Sequence, residues 1–178
     1  MIIKRDIHLN RIIARKHNGM IKVITGLRRC GKSYLLFNLF QKHLHESGVD
    51  DAHIIKVDLE DRRNQSLRNP DNLLAYIDAK LVDDKMYYVL LDEVQLVPEF
   101  EDVLNSFLKV PNADVYVTGS NAKFLSKDVI TEFRGRGDEI HITPLSFREF
   151  SSVKNGDRET LLYELHDVWR YATSRGYG

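Results

Sequence analysis

The chain is poor in features that would place it outside ordinary globular proteins. It has one cysteine in 178 residues, which excludes an internal disulfide framework and fits a reducing, cytoplasmic setting. It lacks a long hydrophobic run: the longest uncharged apolar stretch, residues 86–91, is far too short to span a bilayer. The start, Met1-Ile2-Ile3-Lys4-Arg5-Asp6, lacks the apolar stretch of a signal peptide. Repeats and low-complexity tracts are missing too. Net charge is nil, with 26 basic and 26 acidic residues, which argues against non-specific nucleic-acid or membrane binding by bulk charge. What remains is a soluble globular composition, 43% hydrophobic and 29% charged, too apolar for disorder. Its length suits one large domain or two small ones and can bury about two-thirds of the unfolded surface.

The zero charge conceals an asymmetry. Residues 1–32 carry +8 and residues 83–102 carry −6. Solvated helix and loop faces account for such runs in most proteins. The alternative is a basic phosphate site facing an acidic metal site, which motifs must decide.

Strand-like and helix-like segments alternate along the chain. Residues 21–25 (IKVIT), 53–59 (HIIKVDL), 87–91 (YYVLL), 114–118 (DVYVT) and 139–143 (EIHIT) read as five strands, the third apolar enough to be covered on both faces. Between them, helical spacing links Leu35, Leu36, Leu39, Phe40 and Leu44, then Leu73, Leu74, Ile77 and Leu81, then Phe100, Val103, Leu104, Phe107 and Leu108. A last stripe joins Leu161, Leu162, Leu165, Val168, Trp169 and Ala172. Strands separated by helices predict an α/β fold with a mainly parallel five-stranded sheet and helices on both faces.

Residues 26–33 read Gly26-Leu27-Arg28-Arg29-Cys30-Gly31-Lys32-Ser33, the pattern G-x-x-x-x-G-K-[ST], between a strand and an amphipathic helix. Successive backbone N–H groups must curl round phosphates there, so glycines stand where a side chain would collide or φ must be positive. The helix N-terminus adds partial positive charge. Lys32 would reach the β- and γ-phosphates of ATP, and the Ser33 hydroxyl would ligate Mg²⁺. The predicted nucleotide-binding set is Gly26, Arg28, Arg29, Cys30, Gly31, Lys32, Ser33 and Tyr34, with Ser120 from the end of the fourth strand. For Cys30 one expectation is a partly exposed thiol whose alkylation blocks nucleotide entry; the other is a small filler residue.

The strand at 87–91 ends in Asp92-Glu93. Asp92 is placed to hold Mg²⁺ opposite Ser33, and Glu93 to take a proton from the attacking water. Polar residues at the end of the fourth strand, Thr118-Gly119-Ser120-Asn121, can touch the γ-phosphate or the lytic water. The same residues also make an ordinary turn. Arg134-Gly135-Arg136-Gly137 offers an arginine on a glycine-flexed loop, either a phosphate-neutralising finger or a solvated basic loop. A finger serving a neighbouring subunit would require a homo-oligomer. Asp58, Glu60 and Asp61 follow the second strand, near the metal or in a solvated loop. Arg11, Arg15 and Lys16 fall at helical spacing and could form a partner or nucleic-acid face, without the aromatic residues such a face usually carries. The scattered histidines offer no zinc site.

With these segments in order, the chain resembles the AAA superfamily of P-loop ATPases. Within it, the chain is similar to a bacterial and archaeal group described only as ATP-binding proteins. The likeness rests on residues 23–33, on Leu91-Asp92-Glu93-Val94-Gln95, on Thr118-Gly119-Ser120-Asn121, on Gly135-Arg136, and on residues 142–150 (ITPLSFREF), a stretch with no evident chemistry. The resemblance implies an additional-strand fold, with the strand ending in Asn121 between the phosphate-loop strand and the Asp92 strand. It implies the roles given to Lys32, Ser33, Asp92 and Glu93. It puts Ser120 or Asn121 at the sensor position and favours Arg136 over Arg134 as the finger. Members of the group usually continue into a second domain of unknown function. Residues 1–150 are therefore read as the ATPase core and 151–178 as a helical segment, in a chain that is either a fragment or a shortened member.

The function expected is Mg²⁺-dependent ATP hydrolysis coupled to an unknown protein partner or nucleic acid, with no membrane partner. One alternative is a regulatory or nucleic-acid-binding module in which ATP only orders the protein. A second is a small-molecule kinase with residues 121–137 as lid, which the Asp92-Glu93 pair disfavours. No Asn-Lys-x-Asp segment exists to read guanine, and a helicase motor would need a second core.

Overall fold

Strand β3 (Tyr87–Asp92) shows how the layers arise. All six of its residues are buried, and successive side chains go to opposite faces. Tyr87, Val89 and Leu91 enter one core and Tyr88 and Leu90 another. The computed structural model describes residues 3–119, 135–154 and 156–173. Within them β1 (Ile21–Gly26), β2 (Ile54–Asp58), β3, β4 (Ala113–Thr118) and β5 (Gly137–Ile142) form one parallel sheet in the order β2-β3-β4-β1-β5. The predicted fold class is what the structure shows: β4 lies between the phosphate-loop strand β1 and the Asp92 strand β3.

One face packs on α4 (Pro70–Asp78) and α5 (Phe100–Phe107) through Leu73, Ile77, Phe100, Leu104 and Phe107. Their apolar residues recur at helical spacing, and Asn69 caps α4 by accepting from the Asn72 N–H at 3.1 Å, with Pro70 at the first turn. The other face packs on α1 (Asp6–Ile13) and on a helix running from α2 (Lys32–Tyr34) through a π-helical stretch, Leu35–Phe40, into α3 (Gln41–Glu46). The predicted stripe Leu35, Leu36, Leu39, Phe40 and Leu44 is buried. Two α-helices among the described residues escaped the sequence reading: α1, which buries only His8 and Ile12, and the five-residue α6 (Phe147–Ser151). Each is too short or too sparsely apolar for periodicity to reveal. The final helix α7 (Arg158–Thr173) packs Leu161 and Leu165 on Phe150, a cluster separate from the two sheet cores.

Candidate functional site

Parallel strands all end on the same side of a sheet, so the loops leaving their C-terminal ends meet along one edge. The loop after β1 turns into α2 at that edge. Gly26 has φ +146°, and a Cβ there would stand 2.3 Å from the Ile142 carbonyl oxygen of β5. Gly31 has φ +93° and is the left-handed residue on which α2 opens. Both motif glycines are therefore demanded by backbone geometry. Arg29 also adopts a left-handed conformation, φ 63°. Lys32 is 4% exposed and donates to the carbonyl oxygens of Gly26 and Leu27, each at 3.0 Å. Its charge is thus satisfied by the loop itself, as a buried ammonium requires.

The β2–β3–β4–β1 registers bring the acids to the same edge. Asp58 stands opposite Asp92, and Thr118 opposite Ile24. The Thr118 hydroxyl donates to Asp92 Oδ1 and accepts the Glu93 N–H at 3.1 Å. Asp92 is 3% exposed; burial pushes its carboxyl above the ordinary value, against the hydroxyls of Thr118 and Ser33, with Glu93 and Asp58 adding repulsion. A buried carboxyl beside the Thr118 and Ser33 hydroxyls offers hard oxygen donors, and this donor chemistry fits Mg²⁺. Glu93 has φ 55° and ψ 48°. That turn swings its side chain out of the strand direction, where its Oε2 accepts from Gln95 Nε2.

Beside the loop lies a cavity of about 270 Å³ lined by residues including Arg29, Cys30, Tyr34 and Leu145. Helix α7 reaches this rim: Tyr171 lies under the Arg29 guanidinium at 4.6 Å, and Trp169 Nε1 donates to the Leu145 carbonyl at 2.9 Å.

The structure gathers Gly26, Arg28, Arg29, Cys30, Gly31, Lys32, Ser33, Tyr34, Asp92 and Glu93 along one edge of the sheet. Arg136 is not brought there. It precedes β5, whose Gly137 pairs with Ile21, and its carbonyl accepts the Ile21 N–H at 2.9 Å. That is the opposite end of β1 from Gly26, ~16 Å away at the rise of a strand. Ser120, Asn121 and Arg134 lie outside the described residues. The exposed-thiol expectation for Cys30 is corrected: it is 4% exposed, and burial pushes its thiol up, away from the reactive thiolate.

The charge asymmetry is corrected in part as well. Arg5 pairs with Glu149, Arg15 with Asp138 and Lys22 with Asp114, so these cations are internal ties and not a phosphate-facing front. In the suggested face of Arg11, Arg15 and Lys16, Arg15 donates to Asp138 at 2.8 Å, Lys16 meets His43 at 3.4 Å, and Arg11 is exposed. In the acidic run, Asp83 pairs with His53. Among Asp58, Glu60 and Asp61, only Asp58 faces the Asp92 strand; its Oδ1 accepts the Glu60 and Asp61 amides. Thr118, expected only as one of the polar residues ending the fourth strand, instead bonds both acids of β3. Arg5 and Glu149 were missed because nothing local marks them.

The model of a family described as AAA domain matches residues 18–151. An uncharacterized protein of Haemophilus influenzae is 34% identical over 165 residues, covering 92% of this chain and 41% of its own length. An uncharacterized protein of Methanocaldococcus jannaschii is 35% identical over 156 residues, covering 86% of this chain and 32% of its own. The chain thus spans about two-fifths and one-third of these relatives. In fold it is similar to a DNA polymerase III gamma subunit-related protein from Thermotoga maritima, with TM-score 0.59, 16% identity, and coverage of 93% of this chain and 55% of that one. It is also similar to AMPPCP-bound DnaA from Aquifex aeolicus, with TM-score 0.55, 14% identity, and coverage of 95% and 60%.

Proposed function

The chain belongs to the AAA domain family, and from that premise we propose that it binds ATP with Mg²⁺ and hydrolyses it. The observation that carries this reading is the meeting of Lys32, Ser33, Asp92, Thr118 and Glu93 at the end of three neighbouring strands. The loop N–H groups and Lys32 would take the phosphates, with Lys32 exchanging its two carbonyl partners for phosphate oxygens. Ser33 and Asp92 would hold Mg²⁺, which neutralises charge on the β- and γ-phosphates when bound.

Glu93 would accept a proton from water as the water oxygen attacks the γ-phosphorus. The bond from that phosphorus to the bridging oxygen breaks, and its electron pair leaves with ADP. Thr118 orients both acids, one through its hydroxyl proton and one through the Glu93 amide. The nucleobase would lie in the cavity beside Tyr34 and Leu145. Ser120 or Asn121 would sense the γ-phosphate. Because Arg136 is remote from the loop of its own chain, a finger role belongs to a neighbouring copy in a homo-oligomer. The cycle would then drive a protein or nucleic-acid partner.

Purified protein with ATP and Mg²⁺ tests this against Lys32→Ala and Glu93→Gln. Lys32→Ala should abolish measurable nucleotide binding. Glu93→Gln should bind ATP normally and turn over ~10²-fold slower or worse. A wild type that neither binds nor hydrolyses ATP ends the reading. A Glu93→Gln variant as fast as wild type ends only the assignment of the base.

A further inference from the structure

Arg5 is 2% exposed, in the wall of the cavity beside the loop, and no step of ATP hydrolysis uses its charge. Its guanidinium donates to three segments: Nη1 to the Cys30 carbonyl at 2.6 Å, Nη2 to the Thr143 carbonyl at 2.5 Å, and Nε to Glu149 Oε1 at 3.1 Å. A planar fork spreads its donors over three nitrogens and can reach three separated acceptors; an ammonium gathers its three donors on one nitrogen. Glu149 is itself held. Its Oε2 accepts from the Ser146 N–H at 2.8 Å and the Ser146 hydroxyl at 2.9 Å, within the capping box of α6.

The Cys30 bond bears directly on the phosphate loop. In a planar trans peptide the carbonyl of residue 30 and the N–H of residue 31 point in opposite directions. Drawing the Cys30 carbonyl toward Arg5 therefore aims the Gly31 N–H away from it. The guanidinium also lies against Gly31, where an added Cβ would stand 3.3 Å from Nη1.

We propose that Arg5 is a positioning residue of the nucleotide site. Held by Glu149 and the Thr143 carbonyl, it fixes the Cys30–Gly31 peptide, so that the loop is preformed for its anion. Residues 142–150, which had no chemistry in the sequence, act on the site through this arginine. The inference rests on the ATP reading for its ligand, but the ordering of the loop can be measured without one.

Two measurements decide it. The first is ATP affinity and saturated turnover for wild type, Arg5→Lys, Arg5→Met and Glu149→Gln, each with a thermal melt. Arg5→Lys should weaken ATP binding at least ~tenfold while saturated turnover stays within ~threefold, the split expected when preorganisation is lost. Glu149→Gln should weaken binding less, and should add little to Arg5→Lys, because the two act as one unit. Arg5 variants that melt like wild type and bind ATP as tightly overturn the proposal.

The second is native hydrogen exchange of Glu149→Gln without nucleotide, which also decides the matter if the Arg5 variants fail to fold. Residues 27–33 should exchange at least ~tenfold faster while β3 is unchanged. Unchanged exchange in the loop overturns the proposal. A wild type that binds no nucleotide, with loop exchange still raised in Glu149→Gln, overturns the ATP reading and leaves the role of Arg5 in ordering the loop.

Discussion

Glu93 sits where backbone and chemistry conflict. Its φ of 55° and ψ of 48° are left-handed, a region a glutamate enters only when its surroundings insist. Two contacts insist here: the amide donates to Thr118 Oγ1, and the carboxylate takes the Gln95 amide. The turn carries Glu93 off the strand while Asp92 stays buried in it, so two adjacent acids acquire different surroundings. Strain kept at a site of this kind should show as a trade of stability for function. Glu93→Gly is expected to unfold in urea no earlier than wild type, with stability raised by up to about 1 kcal/mol, while ATP turnover disappears. A clear loss of stability would show that the side-chain contacts of Glu93 outweigh the strain of its left-handed turn. The motif made Asp92 and Glu93 legible as a pair. The hydroxyl that divides their roles, on Thr118 of another strand, could not be read from residues 92 and 93.

Strand β1 serves both ends of the sheet. At its C-terminal end it delivers the phosphate loop. Near the other end Lys22, wholly buried, bonds Asp114 of β4, which also accepts from the Tyr116 hydroxyl at 2.7 Å and the His17 N–H at 3.1 Å. Burial pushes Lys22 below its ordinary value even against the pull of Asp114. For a pair buried this deeply, loss of one partner is costly chiefly through what is left stranded. Asp114→Ala takes the carboxylate from the Tyr116 phenol, the His17 amide and the Lys22 ammonium together, leaving the buried ammonium only the Met20 carbonyl at 2.7 Å and the face of the Tyr116 ring, and should destabilise by about 3–5 kcal/mol in equilibrium unfolding. Lys22→Met leaves Asp114 two donors and should cost less. The reverse order would mean that the lysine, not the carboxylate, organises the network. The strands and longer helices of the sheet were legible because their apolar spacing is strong. Helices α1 and α6 were not, because α1 buries two side chains and α6 is a single capped turn.

Across the whole molecule, apolar packing falls into two large clusters on the two faces of the sheet and a small third one of Phe150, Leu161 and Leu165 with Leu145 and Phe147. Helix α7 belongs to the third alone, and Leu162, Tyr163, Val168 and Trp169 on it are exposed. Regions with few buried contacts open first. Native hydrogen exchange should therefore find the α7 amides markedly less protected than those of β1, β3 and β4. Equal protection would mean that α7 is as cooperative with the sheet as the strands are. No helix among the described residues is long and apolar enough to cross a membrane.

The sequence by itself determined the alternation of strands and helices, the phosphate-loop pattern and the acid pair, because each is written in neighbouring residues through periodicity and local chemistry. Tertiary structure alone decided which side chains meet across long separations. Arg5 and Glu149 are 144 residues apart and Lys22 and Asp114 are 92 apart, and each cation looked in the sequence like part of one basic front. It also set Arg136 at the far end of β1 from the loop. The order and direction of parallel strands fix such distances, and strand order depends on the packing of the whole sheet.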